Sequence, residues 1–534
     1  MSWRSIALAA TIVAIATAAS IAGPLESSRD TLRLSVSGDP HTLMPLLVTS
    51  AVEAQITKLL FEPLFEQDSH NRLVPDLALV IPTRSNGGIS ADGCTITMRL
   101  RQGVSWQDGA PFTAADVVFS INSILDAKNA IANRELYANI QSVDAPARYV
   151  ARFRLKKPQS SFLNVIADGY EMAPAHLLET SANLATDPFN AMPVGTGAYT
   201  LVRWVRGDHI ELAANAIYFR GAPKIAHITI SIVPSDQTRA LGLRTHAIDF
   251  STVNPTMYDQ LRDAPGLLRS IEPQNYVFML ALNTRQPLLQ DVRVRQAISK
   301  AVSRKRILQT AMHDFGNIAY GDLPLFMYDG HPPSGWDDGD PAGARNLLDE
   351  AGWNVGLDGV RTKNGVPLLL QFISPSGSAS GESIDLQVMQ MLRDVGIGIS
   401  YKTFSTSLYY EPASAGGPLF GGTFDIAGMG VGGNSDPTND ELFGCASRIP
   451  DGFNTAGYCS AEMERLQGLE QREYDPVRRN AIISKIEALA VADSPYVFLY
   501  HPARLVVYDA TLERPPASLN DAWYHISTWS FMPR

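Results

Sequence analysis

The sequence predicts an α/β protein with more than one hydrophobic core. Segments with the period-two pattern of strands alternate with segments of helical period, and 534 residues exceed the length of one ordinary domain. The clearest example is the apolar run Tyr276–Asn283, which is followed by apolar residues at helical spacing in Asp291–Leu308. A late helix at Asp475–Val491 then leads into the strand-like segment Tyr496–Tyr500.

Composition and charge describe a globular chain that does not bind nucleic acid. Hydrophobic residues make up 45% of the sequence, and the formal net charge is −10 at pH 7. A nucleic-acid partner normally requires a basic face, which this charge argues against. The basic cluster Arg304–Arg306 is therefore predicted to be the solvated face of a helix.

Residues 1–22 have the pattern of a cleaved signal peptide. Arg4 lies in a short leading segment, Ile6–Ala22 is uncharged and rich in alanine, and small residues near its end offer cleavage sites. A short membrane anchor is the alternative, but the run is marginal for crossing a bilayer and Pro24 follows at once. No cysteine lies near its end, so we expect a periplasmic protein without a lipid anchor.

A turn, a strand, a second turn and a capped helix follow one another in Ser90–Ser123. Thr95–Arg101 alternates polar and apolar residues, as a half-buried strand does. Thr113 is the expected N-cap of the helix, and Asp116 holds the capping-box position three residues later.

The same segment contains an ordered series of residues. Its members are Ser90, Asp92-Gly93, Leu100-Arg101, Gly103-Val104, Trp106, Asp108-Gly109, Pro111-Phe112-Thr113-Ala114 and Asp116-Val117. This series resembles the signature region of the family 5 solute-binding proteins, the extracytoplasmic receptors of dipeptide, oligopeptide and nickel ABC importers. Trp106 replaces the usual aromatic residue, and the tryptophan that customarily precedes the motif is absent.

The resemblance implies a two-lobed periplasmic-binding-protein fold, the large family 5 variant of type II, with a cleft between the lobes. Val194–Tyr199 also resembles a family landmark, the run G-T-G-P-Y. We expect lobe I to contain residues 24–275 with an inserted subdomain at about 60–190, and lobe II to contain residues 276–495. Residues 496–534 are expected to return to lobe I, so that two strands form a hinge.

The three cysteines suit an exported protein. Cys445 and Cys459 are separated by a short polar segment that contains glycine, which favours a local disulfide in an oxidising compartment. Many family 5 receptors carry such a pair at a similar place. Cys94 is left over in the signature strand and is predicted to be a buried thiol.

The most informative candidate for a binding site is the glycine-rich segment Gly428–Leu442. Its glycines spell G-x-G-x-x-G, but Asn434–Pro437 interrupts the segment where a dinucleotide site would need a helix. In peptide-binding members of the family this loop approximates G-W-x-x-D-x-x-D-P, and its first aspartate holds the α-ammonium group of the peptide. With Asp436-Pro437 as the anchor, that aspartate position falls on Gly433 and the tryptophan position on Gly430.

A glycine at this place cannot supply a carboxylate, so the resemblance supports a receptor more strongly than a peptide ligand. Truncating one partner of a buried carboxylate–ammonium pair costs about 2–5 kcal/mol. Either Asp425, Asp436 or an acidic residue elsewhere compensates, or the solute is a bulkier, neutral or anionic one, such as an opine, a sugar conjugate or a modified peptide. The predicted ligand-binding residues are Gly430, Gly433, Asn434, Asp436 and Tyr409, with Tyr410 and the loop Ser374–Ser380 as weaker candidates.

The sequence favours a binding protein over an enzyme. It contains no H-E-x-x-H metal motif, no G-x-S-x-G nucleophile elbow and no P-loop, and its ten histidines are dispersed. We predict a monomeric receptor, without cofactor or metal, that delivers a peptide or a related small polar solute to an ABC permease in the inner membrane. The alternatives are a secreted hydrolase of peptides or glycosides, and a nickel- or haem-carrying receptor, which the lack of a His/Cys cluster disfavours.

Overall fold

The computed structural model describes residues 29–129, 131–132, 134–333, 338–433, 435–450 and 452–532. The predicted signal peptide at residues 1–22 and the predicted site residue Asn434 lie outside the described residues. Across the described ranges, no helix is both long enough and apolar enough to cross a membrane.

Strands and helices alternate along most of the chain. The strands are β1 (Thr31–Val36), β2 (Phe65–Gln67), β3 (Leu73–Pro75), β4 (Thr95–Arg99), β5 (Ile140–Ala147), β6 (Val150–Leu155), β7 (Tyr199–Val205), β8 (His209–Ala214), β9 (His227–Ile232), β10 (Phe250–Thr252), β11 (Leu267–Glu272), β12 (Tyr276–Leu282), β13 (Gly316–Ile318), β14 (Asn354–Val355), β15 (Arg361–Lys363), β16 (Val366–Pro367), β17 (Leu369–Ser376), β18 (Gly398–Ser405), β19 (Ile426–Gly432), β20 (Tyr496–Pro502), β21 (Arg504–Asp509), β22 (Leu512–Glu513) and β23 (Ser530–Phe531). The α-helices are α1 (Ala51–Leu60), α2 (Ala114–Leu125), α3 (Phe162–Asp168), α4 (Ala175–Leu178), α5 (Asp236–Arg244), α6 (Pro255–Gln260), α7 (Val292–Ala301), α8 (Arg304–Ala311), α9 (Pro341–Glu350), α10 (Ala379–Arg393), α11 (Thr406–Tyr409), α12 (Pro418–Gly421), α13 (Asp440–Phe443), α14 (Ala461–Glu470) and α15 (Pro476–Asp493).

The first large sheet, which forms lobe I, has the strand order β11-β21-β10-β1-β9-β8-β7. β1 pairs in parallel with β9 and β10, and the other neighbours are antiparallel. Leu32 and Leu34 of β1 are fully buried, while Arg33 between them bonds to Asp249 at 3.0 Å. The alternation of apolar and polar residues in this segment therefore places one face of the strand in the core.

A small subdomain is inserted between β1 and β7. Its antiparallel sheet has the order β4-β6-β5 and packs against α2. The predicted capping box of α2 is present, because the Thr113 side chain accepts from the backbone of the helix and Asp116 accepts from the N–H of Thr113 at 2.8 Å. Phe112 and Val117 are fully buried next to this cap, which fixes the direction in which the helix enters the core.

The second large sheet, which forms lobe II, has the strand order β13-β20-β12-β19-β17-β18. β12 is antiparallel to both of its neighbours, β20 and β19, and β17 is parallel to β18 and β19. Because β12 is central and covered on both faces, five of its seven residues are buried, and only Tyr276 and Phe278 are partly exposed. This burial explains the nearly continuous apolar run in its sequence.

The segment predicted as one helix after Asp291 forms two, α7 and α8, which are separated at Val302-Ser303. The prediction that Arg304–Arg306 forms a solvated face is wrong for Arg304, which is only 4% exposed. Its Nε donates to the backbone carbonyl oxygen of Phe498 at 2.7 Å, because α8 packs against β20. Backbone carbonyl oxygens thus satisfy the donors of a buried cation.

The chain crosses between the lobes at residues 273–275 and again at Ala503. The second crossing comes later than predicted, since Tyr496–Tyr500 forms part of β20, and β20 pairs with β12 in lobe II. β21 is the strand that enters the sheet of lobe I. The two crossings lie side by side, because Nδ1 of His501 is 3.0 Å from the carbonyl oxygen of Tyr276.

The structure joins Cys445 and Cys459 by a disulfide with a Cα–Cα distance of 4.7 Å. This bond closes the loop between α13 and α14. Cys94 is a free cysteine, and the prediction that its thiol is buried is wrong, because the residue is only half-buried. It lies in the turn before β4, where its Sγ is 3.7 Å from the carbonyl oxygen of Asp92.

Candidate functional site

The segment that follows β19 brings lobe II into contact with lobe I at Ser435. The backbone N–H of Ser435 donates to Oδ2 of Asp168 at 2.7 Å, and its hydroxyl bonds to the same carboxylate. Its carbonyl oxygen accepts from Nδ2 of Asn71 at 2.8 Å, and its Oγ accepts from Nδ2 of Asn520 at 3.3 Å. One residue of lobe II therefore contacts three separate segments of lobe I.

Asp436, a predicted ligand-binding residue, is 1% exposed and takes part in the same interlobe contact. Arg479 of α15 donates to both of its carboxylate oxygens, one of them at 2.9 Å. Nδ2 of Asn164 on α3 donates to it at 2.6 Å, and Glu470 shares the Arg479 guanidinium. The charge of Asp436 is therefore already compensated inside the protein.

Gly430 and Gly433, two further predicted site residues, make room for side chains at the start of β12. A Cβ atom at position 430 would lie 2.5 Å from the hydroxyl of Tyr276, and one at position 433 would lie 2.4 Å from Oδ1 of Asn275. Real Cβ atoms do not approach other atoms so closely, so any substitution requires the neighbour to move.

Sequence reasoning did not select Asn275 or Tyr276. They come from a segment about 150 residues before the loop, and only the strand register, in which Tyr276 lies opposite Gly432, brings them together. Asn275 is 4% exposed, so its amide forms part of the packed wall next to the glycine-rich loop.

Tyr409, the remaining predicted site residue, is fully buried in lobe II. Its hydroxyl donates to the carbonyl oxygen of Gly428 at 2.9 Å, which satisfies its polar end internally. The ring of Tyr410 packs edge-on against it, with 5.1 Å between the ring centroids, and Tyr410 is 38% exposed. Of the two tyrosines, Tyr410 is therefore the one whose side chain a solute can reach.

A buried carboxyl group lies behind the glycine-rich strand at Asp385 of α10. Its Oδ2 accepts from the hydroxyl of Tyr401 at 2.8 Å, and burial raises its pKa to about 6. Asp385 lies close to Gly428, because a Cβ at position 428 would lie 3.5 Å from its Oδ1, which is an ordinary van der Waals distance. In the sequence this residue is one more polar position on an amphipathic helix, and no spacing signal distinguishes it.

Lobe I contains a cavity of about 70 Å³ close to the point where Ser435 docks. We call it the lobe I cavity. Its walls come from the end of α1 and the segment after it, from residues 167–171, from Tyr218 and Arg220, and from residues 518–527 near the C-terminus. The charged side chains that line it are Lys58, Glu62, Glu66, Glu171, Arg220 and Asp521, with His525 beside them.

Arg220 forms the centre of a buried network beside this cavity. Its guanidinium donates to Glu66 at 3.1 Å and also to the fully buried Asp76. Glu62 accepts from the hydroxyl of Tyr218 at 2.6 Å. Burial, followed by the charge of Glu66, raises the pKa of Glu62 to about 7.

Three of these carboxylates have the spacing of a cation site. Oxygens of Glu62, Glu66 and Asp76 lie within 4.8 Å of one another. However, the Arg220 guanidinium already bonds to two of them and provides positive charge where a metal ion would. Burial and the charge of Glu62 raise the pKa of Asp76 well above its ordinary value, which favours a proton on this group. We therefore assign no metal to the cluster.

Comparison with known proteins gives this geometry a context. The model of the bacterial extracellular solute-binding proteins, family 5 middle, matches residues 72–447. The chain is similar to protein XP55 of Streptomyces lividans, with 29% identity over 487 residues that cover 89% of this chain and 84% of that protein. It is also similar to the oligopeptide-binding protein AppA of Bacillus subtilis, with 26% identity over 510 residues that cover 92% of this chain and 90% of that protein.

Solved structures show the same fold. The structure of AppA from Bacillus subtilis in complex with a nonapeptide matches with a TM-score of 0.79 and 24% identity, over 94% of this chain and 99% of that chain. The structure of NikZ from Campylobacter jejuni in complex with Ni(L-His) gives the same TM-score of 0.79, with 24% identity over 94% and 99% of the two chains. The predicted α/β fold is confirmed.

Proposed function

Because the chain belongs to the bacterial extracellular solute-binding proteins of family 5, we propose that it captures a peptide or a related small polar solute between its lobes. It is exported to the periplasm with cleavage of residues 1–22, acts as a monomer, and delivers the solute to an ABC permease in the inner membrane. A relative named for binding oligopeptides supports this role. The family consists of solute-binding proteins, which disfavours the alternative of a secreted hydrolase.

The observation that carries the proposal is the docking of one loop of lobe II onto lobe I. The chain crosses between the lobes only at residues 273–275 and at Ala503 within the described part of the chain, so the lobes can rotate about these two connections. Ser435 and Asp436 contribute hydrogen bonds to the contact, and Gln471 of the segment after α14 adds another, because its carbonyl oxygen accepts from the N–H of Ser160 at 2.8 Å. Hydrogen bonds of this kind exchange with water at modest net cost. This arrangement supports reversible closure around a solute.

The surroundings of Gly433 favour a solute group other than an ammonium at this place. Peptide-binding members of the family carry an aspartate in the corresponding position, whereas here the amide of Asn275 fills the adjacent space. A neutral amide donates and accepts hydrogen bonds but does not compensate a positive charge. We therefore favour an opine, a sugar conjugate or a modified peptide over a peptide with a free α-ammonium group.

Native mass spectrometry of the protein purified from its source organism tests the proposal. We expect one small polar solute per protein molecule, and a smaller radius of gyration in X-ray scattering when the solute is restored to the emptied protein. The receptor role fails if no solute co-purifies and calorimetry detects no binding of peptides, opines or sugar conjugates. Co-purification of unmodified peptides alone would contradict the inference from Gly433, and turnover of peptides or glycosides would favour the hydrolase.

A further inference from the structure

We propose that the lobe I cavity binds a cationic group of the solute, either an ammonium or a guanidinium. This inference rests on the proposed function, because it assigns one end of the captured solute to lobe I. The evidence comes from a buried carboxylate in the wall, from the balance of charge around the cavity, and from its position beside the interlobe contact.

Glu171 provides the observation that points to a ligand. It is 5% exposed and lines the cavity. Among the described residues, its carboxylate receives no hydrogen bond except from its own backbone amide, and Lys58 acts on it through charge alone. A buried carboxylate that receives no hydrogen bond from neighbouring residues destabilises the protein. An occupant that donates hydrogen bonds would satisfy this group.

Negative charge exceeds positive charge around the cavity. The groups that face one another are Lys58 from α1, Glu62 and Glu66 from the segment after it, Glu171, Arg220, and Asp521 and His525 from the C-terminal segment. Arg220 is already paired with Asp76 and Glu66, and Lys58 is exposed to solvent. A cation that enters the cavity therefore meets a net negative potential.

The raised pKa values of two of these carboxyl groups agree with the excess of negative charge around the cavity. Burial raises the pKa of Glu171 to about 7, and burial together with the charge of Glu66 does the same for Glu62. At neutral pH each group is protonated in part of the population. Binding of a cation would displace these protons, because it stabilises the charged form of both groups.

The size and position of the cavity suit one end of a solute. A volume of about 70 Å³ holds roughly five water-sized positions, which matches the end of an aminoalkyl or guanidinoalkyl arm. The buried indole of Trp523 supplies an aromatic wall, on which a cation is also stabilised. Asn520 lines the cavity and also bonds to Ser435, so an occupant would lie next to the contact between the lobes.

Two blocked dipeptides that differ by one charge test the inference. N-acetyl-Ala-Arg and N-acetyl-Ala-citrulline have nearly the same shape, but citrulline replaces the guanidinium by a neutral urea. Isothermal titration calorimetry at pH 7 would measure both with the wild-type protein, with Glu171→Gln and with Glu179→Gln. Glu179 is the matched control, because it is an exposed glutamate eight residues further along the chain.

We expect the wild-type protein to bind the arginine peptide at least roughly 30-fold more tightly than the citrulline peptide. Glu171→Gln should abolish most of this preference and leave the affinity for the citrulline peptide within about twofold, while Glu179→Gln should behave as wild type. Titrations in two buffers of different ionisation enthalpy should also show that the arginine peptide releases roughly 0.5–1 proton.

Equal affinity of the wild-type protein for the two peptides, or an equal loss for both in Glu171→Gln, would overturn the inference. Binding of other solutes without binding of the arginine peptide would also overturn it, and would leave the proposed function intact. Failure of the wild-type protein to bind any solute would contradict both this inference and the proposed function. If Glu171→Gln does not fold, the comparison of the two peptides with the wild-type protein decides, and equal affinities would overturn the inference.

Discussion

Replacing Gly433 by alanine should destabilise the protein, because Asn275 occupies the space that the new methyl group needs. The Cβ atom would lie 2.4 Å from Oδ1 and 2.7 Å from both Cγ and Nδ2, whereas ordinary contact begins at 3.4 Å. The amide must therefore move by about 1 Å. Asn275 is buried among packed neighbours, and overpacking of this kind costs about 1–3 kcal/mol.

Gly432→Ala is the matched control, because it lies one residue away in the same strand end. Its Cβ would lie 3.7 Å from the ring of Tyr276, which is an ordinary contact, and neither glycine has a positive φ. We expect a change within about 0.5 kcal/mol for this variant. Urea unfolding followed by circular dichroism measures the free energy of unfolding for each protein.

A double variant isolates the contact itself. In the background of Asn275→Ala, the cost of Gly433→Ala should fall below about 0.5 kcal/mol, because the atoms that it would strike are gone. If Gly433→Ala and Gly432→Ala unfold at the same urea concentration, or if Asn275→Ala does not change the cost of Gly433→Ala, then close approach to Asn275 is not the reason for glycine at this position.

Two further predictions concern buried charges. Arg479→Met should lower the free energy of unfolding by about 3–5 kcal/mol, because Asp436 and Glu470 remain buried without their cation. Arg478→Met, which removes only an ion pair of a largely exposed arginine, should change it by less than about 1 kcal/mol in the same urea experiment. Burial raises the pKa of Asp385 from 3.8 to about 6, so the folded state binds this proton more tightly than the unfolded state, and the ionised carboxylate destabilises the protein above pH 6. The stability of the wild-type protein relative to Asp385→Asn should therefore rise by about 2–3 kcal/mol between pH 7 and pH 4, and a constant difference over this range would contradict the assignment.

Features of the fold that depend on residues close together in the sequence could be predicted from the sequence. Thr113 and Asp116 define the start of α2 within three positions, and the structure forms that cap. Features that depend on partners far away in the sequence could not be predicted in this way. Arg304 resembled a surface cation because its acceptor, the carbonyl oxygen of Phe498, is 194 residues away.

The second crossing between the lobes was placed too early for a related reason. Tyr496–Tyr500 is apolar throughout, and a strand buried on both faces suits the centre of either sheet. Only its pairing with β12 and β13 assigns it to lobe II. Hydrophobic pattern reveals that such a strand is buried, but it contains no information about the identity of its neighbours.

The candidate site was predictable in part. The sequence pattern selected the glycine-rich segment Gly428–Leu442, and the structure shows that Ser435 and Asp436 within it contact lobe I. The neighbours of its glycines, Asn275 and Tyr276, depend on strand register and were not found. The lobe I cavity was also missed, because segments far apart in the sequence supply its walls and no motif connects Lys58 or Glu171 with residues 518–527.

The lobe I cavity has a consequence for the order in which the protein becomes functional. Residues 518–527 close it, although its opposite wall begins at Lys58, so an N-terminal fragment that ends before Ser518 lacks the cavity. Folding during synthesis proceeds from the N-terminus, and the strands of both sheets precede this last segment. On the proposed export route, the lobe I cavity is therefore complete only after nearly the whole polypeptide has crossed the membrane.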